Sequence, residues 1–396
     1  MPPMEQTVLS LNSGSSTLKF ALFGISKAGE RQLANGLVEN GANESRLSLT
    51  GSDGQVLASG QSVSADAREQ LAAIFSILDR FLFPRPEAAG HRIVHGGPLY
   101  ASPQKVTPAF LESLKGLIPL APLHLPAQIE LMEAVLRHYP SLPEVACFDT
   151  AFHAAMPEIA RRLPLPGKFW DEGVRRYGFH GLSYESILDA LGSEAGGRLI
   201  VAHLGNGASM AAIRNRQPID TSMGLTPTGG FLMSTRSGDL DPGVILYLMR
   251  AGQSIDRLES LVDHESGLLG ISGLSGNMKL LLEKRGHDPK ADQAVQMFCY
   301  AIKKFIGSYA AALGGLDTLV FTGGIGEHAD AVRAEICAGM EFLGIHLDPV
   351  RNARHDSVIS AVSDIGPESR QCVVRVLAAD EDRMIARHTW RTIWER

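Results

Sequence analysis

The 396-residue sequence has no hydrophobic run long enough to cross a membrane. Although 44% of its residues are apolar, no uninterrupted stretch approaches the ~18 to 20 residues that a membrane helix needs. The opening residues, MPPMEQ, lack the basic and apolar segments of a secretory signal. We therefore expect a cytoplasmic protein, and its length favours two domains with well-filled cores.

Cysteine is scarce, and neither sign of charge dominates. The four cysteines form no CxxC pair and are widely spaced, which favours reduced core residues over a disulfide or a zinc site; they are Cys147, Cys299, Cys337 and Cys372. The 37 basic and 43 acidic residues are well mixed and leave a net charge of −6. This balance argues against a nucleic-acid-binding surface.

Two familiar nucleotide-binding motifs are also missing from the sequence. It contains no GxxxxGK[ST] string, and no GxGxxG follows an apolar strand. The sequence therefore lacks the motifs expected of a P-loop or a Rossmann nucleotide-binding site. Any nucleotide must be bound by another kind of site.

What the sequence does contain is a pair of similar segments about half a chain apart. Residues 7–23 read TVLSLNSGSSTLKFALF and residues 198–213 read RLIVAHLGNGASMAAI, each an apolar strand, a polar glycine turn and a second apolar strand. Glycine lets backbone amides converge on an anion. Either segment alone could be an ordinary glycine hairpin. Together with FTGGIGE at 321–327, they predict a nucleotide gripped between two similar α/β halves.

Other segments of the sequence predict regular elements. Apolar residues at helical spacing predict long helices at 65–83 and 287–313. Apolar runs predict a strand at 317–324 that ends in glycines, and a last strand at 371–378 that leads into an acidic turn at residues 380–382.

Cationic and oxygen-bearing side chains follow several apolar runs. Phosphoryl transfer depends on positive charge and hydrogen-bond donors around the moving group, and arginine suits both carboxylate and phosphate. Arg92 and Arg236 therefore suggest one arginine for an acidic acceptor and one for the phosphoryl group. Mg²⁺ prefers few protein oxygens plus water and phosphate. The candidate oxygen donors are Asn12, Asp149 and Glu381, and the histidines in similar loops are His124, His180 and His203.

Along almost its whole length the sequence resembles the acetate kinase family. The matching strings, in order, are LNSGSSTLKF, GHRIVHGG, APLH, FDTAFH, RYGFHG, HLGNGAS, DTSMGLTPTGG, TRSGDLDPG and FTGGIGE. The resemblance implies two similar α/β domains of the actin-like ATPase (ribonuclease H-like) superfold with an interdomain cleft. We expect an acetate-binding domain at 1–150, a nucleotide-binding domain at 151–380, and a helix at 381–396 that packs back on the first.

The resemblance implies reversible, Mg²⁺-dependent, in-line transfer of the ATP γ-phosphoryl to acetate, giving acetyl phosphate and ADP, in a homodimer. Mn²⁺ would substitute for Mg²⁺. By the resemblance, the metal ligands are Asn12 and Glu381, and the catalytic residues are Asp149, His180, Arg236 and Arg92, with Arg92 as the acetate clamp. The acetate pocket would comprise Val94, Leu123, His124, Phe179 and Pro227. The nucleotide-binding residues would be Ser15, Thr17, Lys19, His203, Leu204, Gly205, Asn206, Gly207, Asn277, Met278, Lys279, Gly323, Gly324, Ile325, Gly326 and Glu327.

The role of Asp149 stays open at this stage. The family's proton donor or acceptor corresponds to this residue, yet carboxylic acids of pKa about 4 to 5 are already ionised at neutral pH and need no base. Asp149 could instead hold a metal-bound water or orient Arg92.

The sequence departs from the family pattern at several points. Leu125-Pro126 replaces the usual Asn-Pro, Ser234 replaces a glycine, and Ala378-Ala379 replace Pro-Thr. The segment Gly276-Asn277-Met278-Lys279 replaces a Ser-Asp-x-Arg string near the adenine. None removes a group that the chemistry needs, and the last of them leaves the nucleotide preference open.

Two other functions compete with acetate phosphorylation. A propionate or butyrate kinase of the same family would differ only in pocket volume, where one methylene is worth about 1 to 3 kcal/mol. A nucleotide-switched ATPase of the actin or Hsp70 type would need no acyl acceptor site, which the arginine pair argues against.

Overall fold

A computed structural model describes residues 5–14, 17–41, 44–358 and 372–395. Its strands are β1 Gln6–Ser13, β2 Thr17–Ser26, β3 Gly29–Asn40, β4 Ser45–Gly51, β5 Val56–Val63, β6 Ala88–Ile93, β7 Gln104–Lys105, β8 Glu144–Phe148, β9 Arg198–Leu204, β10 Ala208–Arg214, β11 Gln217–Thr221, β12 Thr318–Thr322 and β13 Val373–Val376.

The described residues also form α-helices. They are α1 Ala67–Arg80, α2 Pro108–Lys115, α3 Leu125–His138, α4 Glu158–Arg161, α5 Gly167–Asp171, α6 Gly181–Leu191, α7 Pro242–Arg250, α8 Ile255–His264, α9 Gly267–Ser272, α10 Met278–Lys284, α11 Pro289–Leu313, α12 Gly323–His328, α13 Asp330–Cys337, α14 Pro349–Ala353 and α15 Glu381–Trp394. No helix in the described ranges has both the length and the apolarity to span a bilayer.

The chain divides into two compact units. Unit 1 comprises residues 1–152 and 380–396, and unit 2 comprises residues 153–379. Each unit contains its own sheet, so the predicted mixed α/β fold is confirmed.

In unit 1 the sheet has the strand order β5-β4-β3-β2-β1-β6-β8-β7. The predicted first hairpin is present, because β1 pairs with β2 in antiparallel register from Gln6 opposite Ile25 to Ser13 opposite Leu18. Strands β1, β6 and β8 are mutually parallel. Their carboxyl ends therefore meet at one edge of the sheet, where ligand-binding groups collect in open α/β folds.

Helices cover both faces of this sheet. Leucines of β1, β2 and β4 pack with α1 and α3 on one face. On the other face Val8, Phe23 and Ile25 pack against Ala386 and Trp390 of α15.

The predicted acidic turn at residues 380–382 is instead the start of α15. The Asp380 side chain accepts a hydrogen bond from the backbone N–H of Arg383. An Asp at this position satisfies an otherwise unpaired helix donor.

In unit 2 the sheet has the order β11-β10-β9-β12-β13. Strands β9 and β10 form the second predicted hairpin, and β12 lies parallel to both β9 and β13. The predicted strand at 317–324 is shorter than expected, because β12 ends at Thr322 and the two glycines after it begin α12. The predicted strand at 371–378 is β13, and Gln371 lies outside the described residues.

Candidate active site

Arg92 and Asp149 form a buried ion pair at the carboxyl edge of the unit 1 sheet. Arg92 lies near the end of β6 and Asp149 directly follows its parallel neighbour β8. Arg92 Nε donates to Asp149 Oδ1 at 3.1 Å and Oδ2 at 2.9 Å, and Nη2 donates to Oδ2 at 2.6 Å. The carboxylate is 1% exposed. Such a fork fixes the plane of the guanidinium.

Asn12 and Glu381 complete this cluster. Arg92 Nη1 donates to Asn12 Oδ1 at 3.2 Å, and Asn12 Nδ2 donates to Glu381 Oε2 at 2.9 Å. Glu381 Oε2 lies 3.9 Å from Arg92 Nε. Burial lowers the pKa of Arg92, but Asp149 and Glu381 outweigh it and raise that pKa above its ordinary value. Four residues predicted from the sequence therefore lie together in unit 1.

Asp382 is a second buried carboxyl beside this cluster, and the sequence analysis did not select it. Its Oδ1 accepts a hydrogen bond from Ser10 Oγ at 3.1 Å. Burial, followed by the neighbouring Glu381 carboxylate, raises the pKa of Asp382 to about 6. The only sequence signal for it was the acidic run at residues 380–382.

Glu381 and Asn12 offer the kind of oxygen atoms that a hard divalent cation binds. Mg²⁺ keeps several waters and takes only one or two protein oxygens together with phosphate oxygens. A carboxylate and an amide oxygen fit this preference. Within the described ranges, no group of three or more His, Cys, Asp or Glu side chains could hold a metal ion.

Gln128 links the first hairpin turn to the end of β6. Its Oε1 accepts from Val94 N at 3.0 Å, and its Nε2 donates to Ser13 O at 3.3 Å. The side chain is buried in α3. No sequence motif marked Gln128 as important.

Other predicted residues of unit 1 differ in exposure. Val94 is buried, whereas Leu123 is 38% exposed. His124 immediately precedes α3. Lys19 is exposed and stands opposite Asn12 in the β1–β2 register, and Thr17 begins β2. The predicted nucleotide ligand Ser15 lies outside the described residues.

In unit 2, His180 and His203 stack on each other, with ring centroids 4.3 Å apart and planes 21° apart. His180 Nδ1 lies 2.8 Å from Ser209 Oγ, and His203 Nδ1 lies 2.8 Å from Ser183 Oγ. His180 has a left-handed backbone, with φ of 57°, immediately before α6. Non-glycine residues in this conformation are uncommon and often belong to functional sites.

Arg236 and His180 converge on the turn of the second hairpin. A Cβ atom built on Gly207 would lie 3.4 Å from Arg236 Nη1 and 3.5 Å from His180 Nε2. Arg236 Nη1 also donates to Pro227 O at 3.3 Å. The structure thus brings together two predicted catalytic side chains, the predicted phosphate-binding turn and Pro227.

Ser234 connects this turn to a second predicted nucleotide-binding segment. Its backbone N–H donates to Asn206 O at 3.2 Å, and its hydroxyl donates to Asn206 Oδ1 at 3.3 Å. A Cβ on Gly276 would lie 2.8 Å from Ser234 O. The serine that departs from the family pattern therefore has hydrogen-bonding partners in the hairpin turn.

The segment from Asn277 to Lys279 begins α10. Asn277 Oδ1 accepts from Leu280 N at 3.2 Å, which caps the helix. The Met278 side chain is buried and Lys279 is exposed. Of these three predicted nucleotide ligands, Asn277 and Lys279 are both exposed.

A buried arginine that sequence reasoning missed supports the FTGGIGE segment. Arg333 is fully buried, and its Nη1 donates to Gly326 O at 2.8 Å and Glu327 O at 3.0 Å. Its Nε donates to Asn352 Oδ1 at 2.8 Å. Glu327 Oε1 in turn accepts from Gly323 N at 2.9 Å. Arg333 thereby fixes the carboxyl end of α12.

His153 supports the backbone before His180. Its Nε2 lies 3.0 Å from Phe179 O and donates to that carbonyl, and the Phe179 side chain is buried. Burial lowers the pKa of His153 to about 4, so the ring is neutral at physiological pH.

The chain was compared with known protein families and with individual proteins. The model described as the acetokinase family matches residues 7–387. An acetate kinase of Rhodopseudomonas palustris (strain ATCC BAA-98 / CGA009) is 42% identical over 398 residues, covering 98% of each chain. An acetate kinase of Methylocella silvestris is 43% identical over 402 residues, again covering 98% of each.

Solved structures agree with the sequence relatives. A propionate kinase of Francisella tularensis subsp. tularensis SCHU S4 superposes with a TM-score of 0.88 at 33% identity, covering 98% of this chain and 99% of that one. An acetate kinase of Porphyromonas gingivalis has a TM-score of 0.82 at 39% identity, covering 97% and 98%.

Proposed function

The chain belongs to the acetokinase family, and from this premise we propose that it transfers the γ-phosphoryl group of ATP reversibly to acetate. A carboxylate oxygen of acetate forms the new bond to γ-phosphorus, and the bond from that phosphorus to the bridging oxygen of ADP breaks. ADP leaves with the electron pair, and acetyl phosphate is the other product. The observation that carries the proposal is the buried Arg92–Asp149 fork beside Asn12 and Glu381.

In unit 1 we assign Arg92 to the acetate carboxylate and Val94 to the acetate methyl group. The Asp149 carboxylate accepts hydrogen bonds from Nε and Nη2 of Arg92. Because acetate is ionised at neutral pH, no base is needed to activate it. These contacts favour the interpretation that Asp149 orients Arg92 over the one in which it transfers a proton.

We assign Asn12 and Glu381 to Mg²⁺, with Mn²⁺ as a substitute that prefers the same oxygen ligands. When bound, the ion neutralises phosphate charge. The two side chains lie side by side, with Asn12 Nδ2 2.9 Å from Glu381 Oε2, and this proximity supports a shared site.

In unit 2 we assign His180 and Arg236 to the transferred phosphoryl group, where charge develops in the transition state. Their convergence on Gly207 supports this role. The turn from His203 to Gly207, the segment from Asn277 to Lys279 and the segment from Gly323 to Glu327 would bind the nucleotide.

Propionate is the competing acceptor, because the propionate kinase of Francisella tularensis has the same fold. Acetate stays the first choice because three of the four compared proteins are acetate kinases.

We further propose a cytoplasmic homodimer. The four cysteines are free and buried, as expected in a reducing compartment. Helix α7 supports dimerisation, because none of its nine residues, all of them described, is buried. Its exposed apolar side chains are Val244, Leu246, Tyr247 and Met249. Several large apolar side chains exposed on one helix often mark an interface between proteins.

Acyl phosphate trapping with hydroxylamine tests the reaction. The enzyme is supplied with ATP, Mg²⁺ and formate, acetate, propionate or butyrate in turn, and we expect the highest kcat/KM with acetate. A propionate optimum would change the substrate and leave the reaction intact. ATP hydrolysis that is steady and independent of any added acid would instead indicate a nucleotide-switched ATPase.

A further inference from the structure

Two hydroxyl groups in unit 2 form a chain that ends on the ring of His180. The Tyr184 hydroxyl lies 2.5 Å from Ser209 Oγ, and Ser209 Oγ lies 2.8 Å from His180 Nδ1. Tyr184 and Ser209 are both fully buried. Tyr184 stands one helical turn after His180 on α6, and Ser209 comes from β10, so two separate elements fix this chain of contacts.

We propose that Tyr184 and Ser209 are positioning residues that hold His180 with its ring proton on Nε2. A serine hydroxyl has a single proton. When the phenol donates to Ser209 Oγ, that proton is directed to His180 Nδ1. A neutral imidazole that accepts at Nδ1 carries its own hydrogen on Nε2.

This tautomer matters because Nε2 is the ring atom of His180 that lies near the proposed phosphate-binding turn. Nε2 lies on the side of Gly207, where Arg236 Nη1 also arrives. An Nε2–H would add a second donor beside the guanidinium, aimed at the same anion. A bare Nε2 would instead present its lone pair to negatively charged oxygens and weaken the site.

The Arg236 guanidinium lies on the Nε2 side of His180 and makes a positive charge on that ring costly, because like charges at this separation repel. The His203 ring covers one face of the His180 ring, with centroids 4.3 Å apart. The position of a single ring proton therefore decides whether His180 donates or accepts.

The kinetic test uses Tyr184→Phe, which keeps the aromatic ring in its edge contact with His153. The matched control is Tyr177→Phe, which removes another buried phenol, one that donates to Gly173 O at 2.8 Å. We expect Tyr184→Phe and Ser209→Ala to lower kcat for acyl phosphate formation about tenfold, with KM for acetate within about twofold. Tyr177→Phe should stay within about twofold of the parent enzyme in both constants.

A spectroscopic test does not depend on catalysis, whereas the kinetic part rests on the proposed function. In the full chain labelled with ¹⁵N-histidine, His180 is identified by the signals lost in His180→Asn. We expect the proton on Nε2 in the parent protein and a mixture of tautomers in Tyr184→Phe. A parent ring protonated on Nδ1, or a Tyr184→Phe spectrum identical to that of Tyr177→Phe, would overturn the inference. If no acid yields acyl phosphate, the proposed function fails while the tautomer is still decided.

Discussion

Asp149 contacts Arg92 through both of its oxygens, so replacing either residue should disturb the proposed contact between Arg92 and acetate. We expect Asp149→Ala to lower kcat/KM for acetate by about 100-fold, because a misplaced positioning group costs about that much. Arg92→Ala should lose at least as much. The double variant should lose no more than Arg92→Ala alone, because residues that act as a unit are not additive.

The measurement is a double-mutant cycle on kcat/KM, with thermal unfolding of each variant to confirm that it folds. Losses that multiply in the double variant would give Asp149 a chemical task of its own, such as proton transfer or holding a metal-bound water.

His153 links the site to the pH dependence of stability. Its folded pKa is about 4 against an ordinary value of 6.5. The unfolded state binds the proton of this histidine more tightly than the folded state does, so protonation favours unfolding. The free energy of unfolding is therefore unaffected by His153 above pH 6.5 and decreases as the pH falls from 6.5 towards 4. The shift corresponds to about 3 kcal/mol.

We therefore expect His153→Gln to flatten the fall in the free energy of unfolding between pH 7 and pH 4.5. Urea titrations of the parent protein and the variant measure this fall at both pH values. His138→Gln, which removes an exposed histidine at the end of α3, serves as the control and should leave the fall unchanged. An equal fall in the parent protein and His153→Gln would contradict the assigned pKa.

The sequence identified candidate residues that have a suitable chemical type and lie in a recognisable motif. It did not identify residues that hold the backbone of the site in place. Arg92, Asn12 and Glu381 were selected as candidates, and the structure places them in contact. Gln128 and Arg333 were missed, because their importance comes from backbone groups that only the folded chain brings near them.

At the scale of elements, periodicity located the long helices and misjudged the glycine-rich ends. The helices expected at 65–83 and 287–313 correspond to Ala67–Arg80 and Pro289–Leu313. The expected strand through residue 324 ends at Thr322. Glycine signals a change of direction, but the sequence does not say whether a loop or a helix follows.

The packing of α15 on the unit 1 sheet depends on a glycine in β6. A Cβ on Gly90 would lie 2.1 Å from Thr389 Oγ1 and 2.7 Å from Ile385 Cγ2. We expect Gly90→Ala to lower the free energy of unfolding by about 1–3 kcal/mol, as overpacking does. Urea unfolding measures the change.

A second substitution separates this clash from a general backbone effect. Adding Thr389→Ala to Gly90→Ala removes the nearest atom and should recover part of the lost stability. Gly286→Ala is the control, because a Cβ there meets nothing within 4 Å. No recovery in the double variant would show that the close approach of α15 is not the cause.

At the scale of the whole molecule, the sequence predicted two similar halves because their hairpins repeat a recognisable string. Both units do contain an antiparallel hairpin followed by a parallel strand at its side. No comparable sequence motif indicates how the chain assembles. Nothing in the residue pattern of α7 distinguishes a helix that packs within the chain from one that stays exposed.

The proposed dimer can be tested at the exposed apolar side chains of α7. Leu246 is 51% exposed, and a carboxylate there would be buried without a partner if α7 meets a second copy. We expect Leu246→Glu to shift the mass measured by light scattering from twice the chain mass to 42.6 kDa. Ile159→Glu is the control, because Ile159 is 90% exposed on a different helix, α4, and should leave a dimer formed through α7 intact. A parent protein that is already monomeric would refute the dimer, whereas a Leu246→Glu protein that stays dimeric would place the interface on another surface.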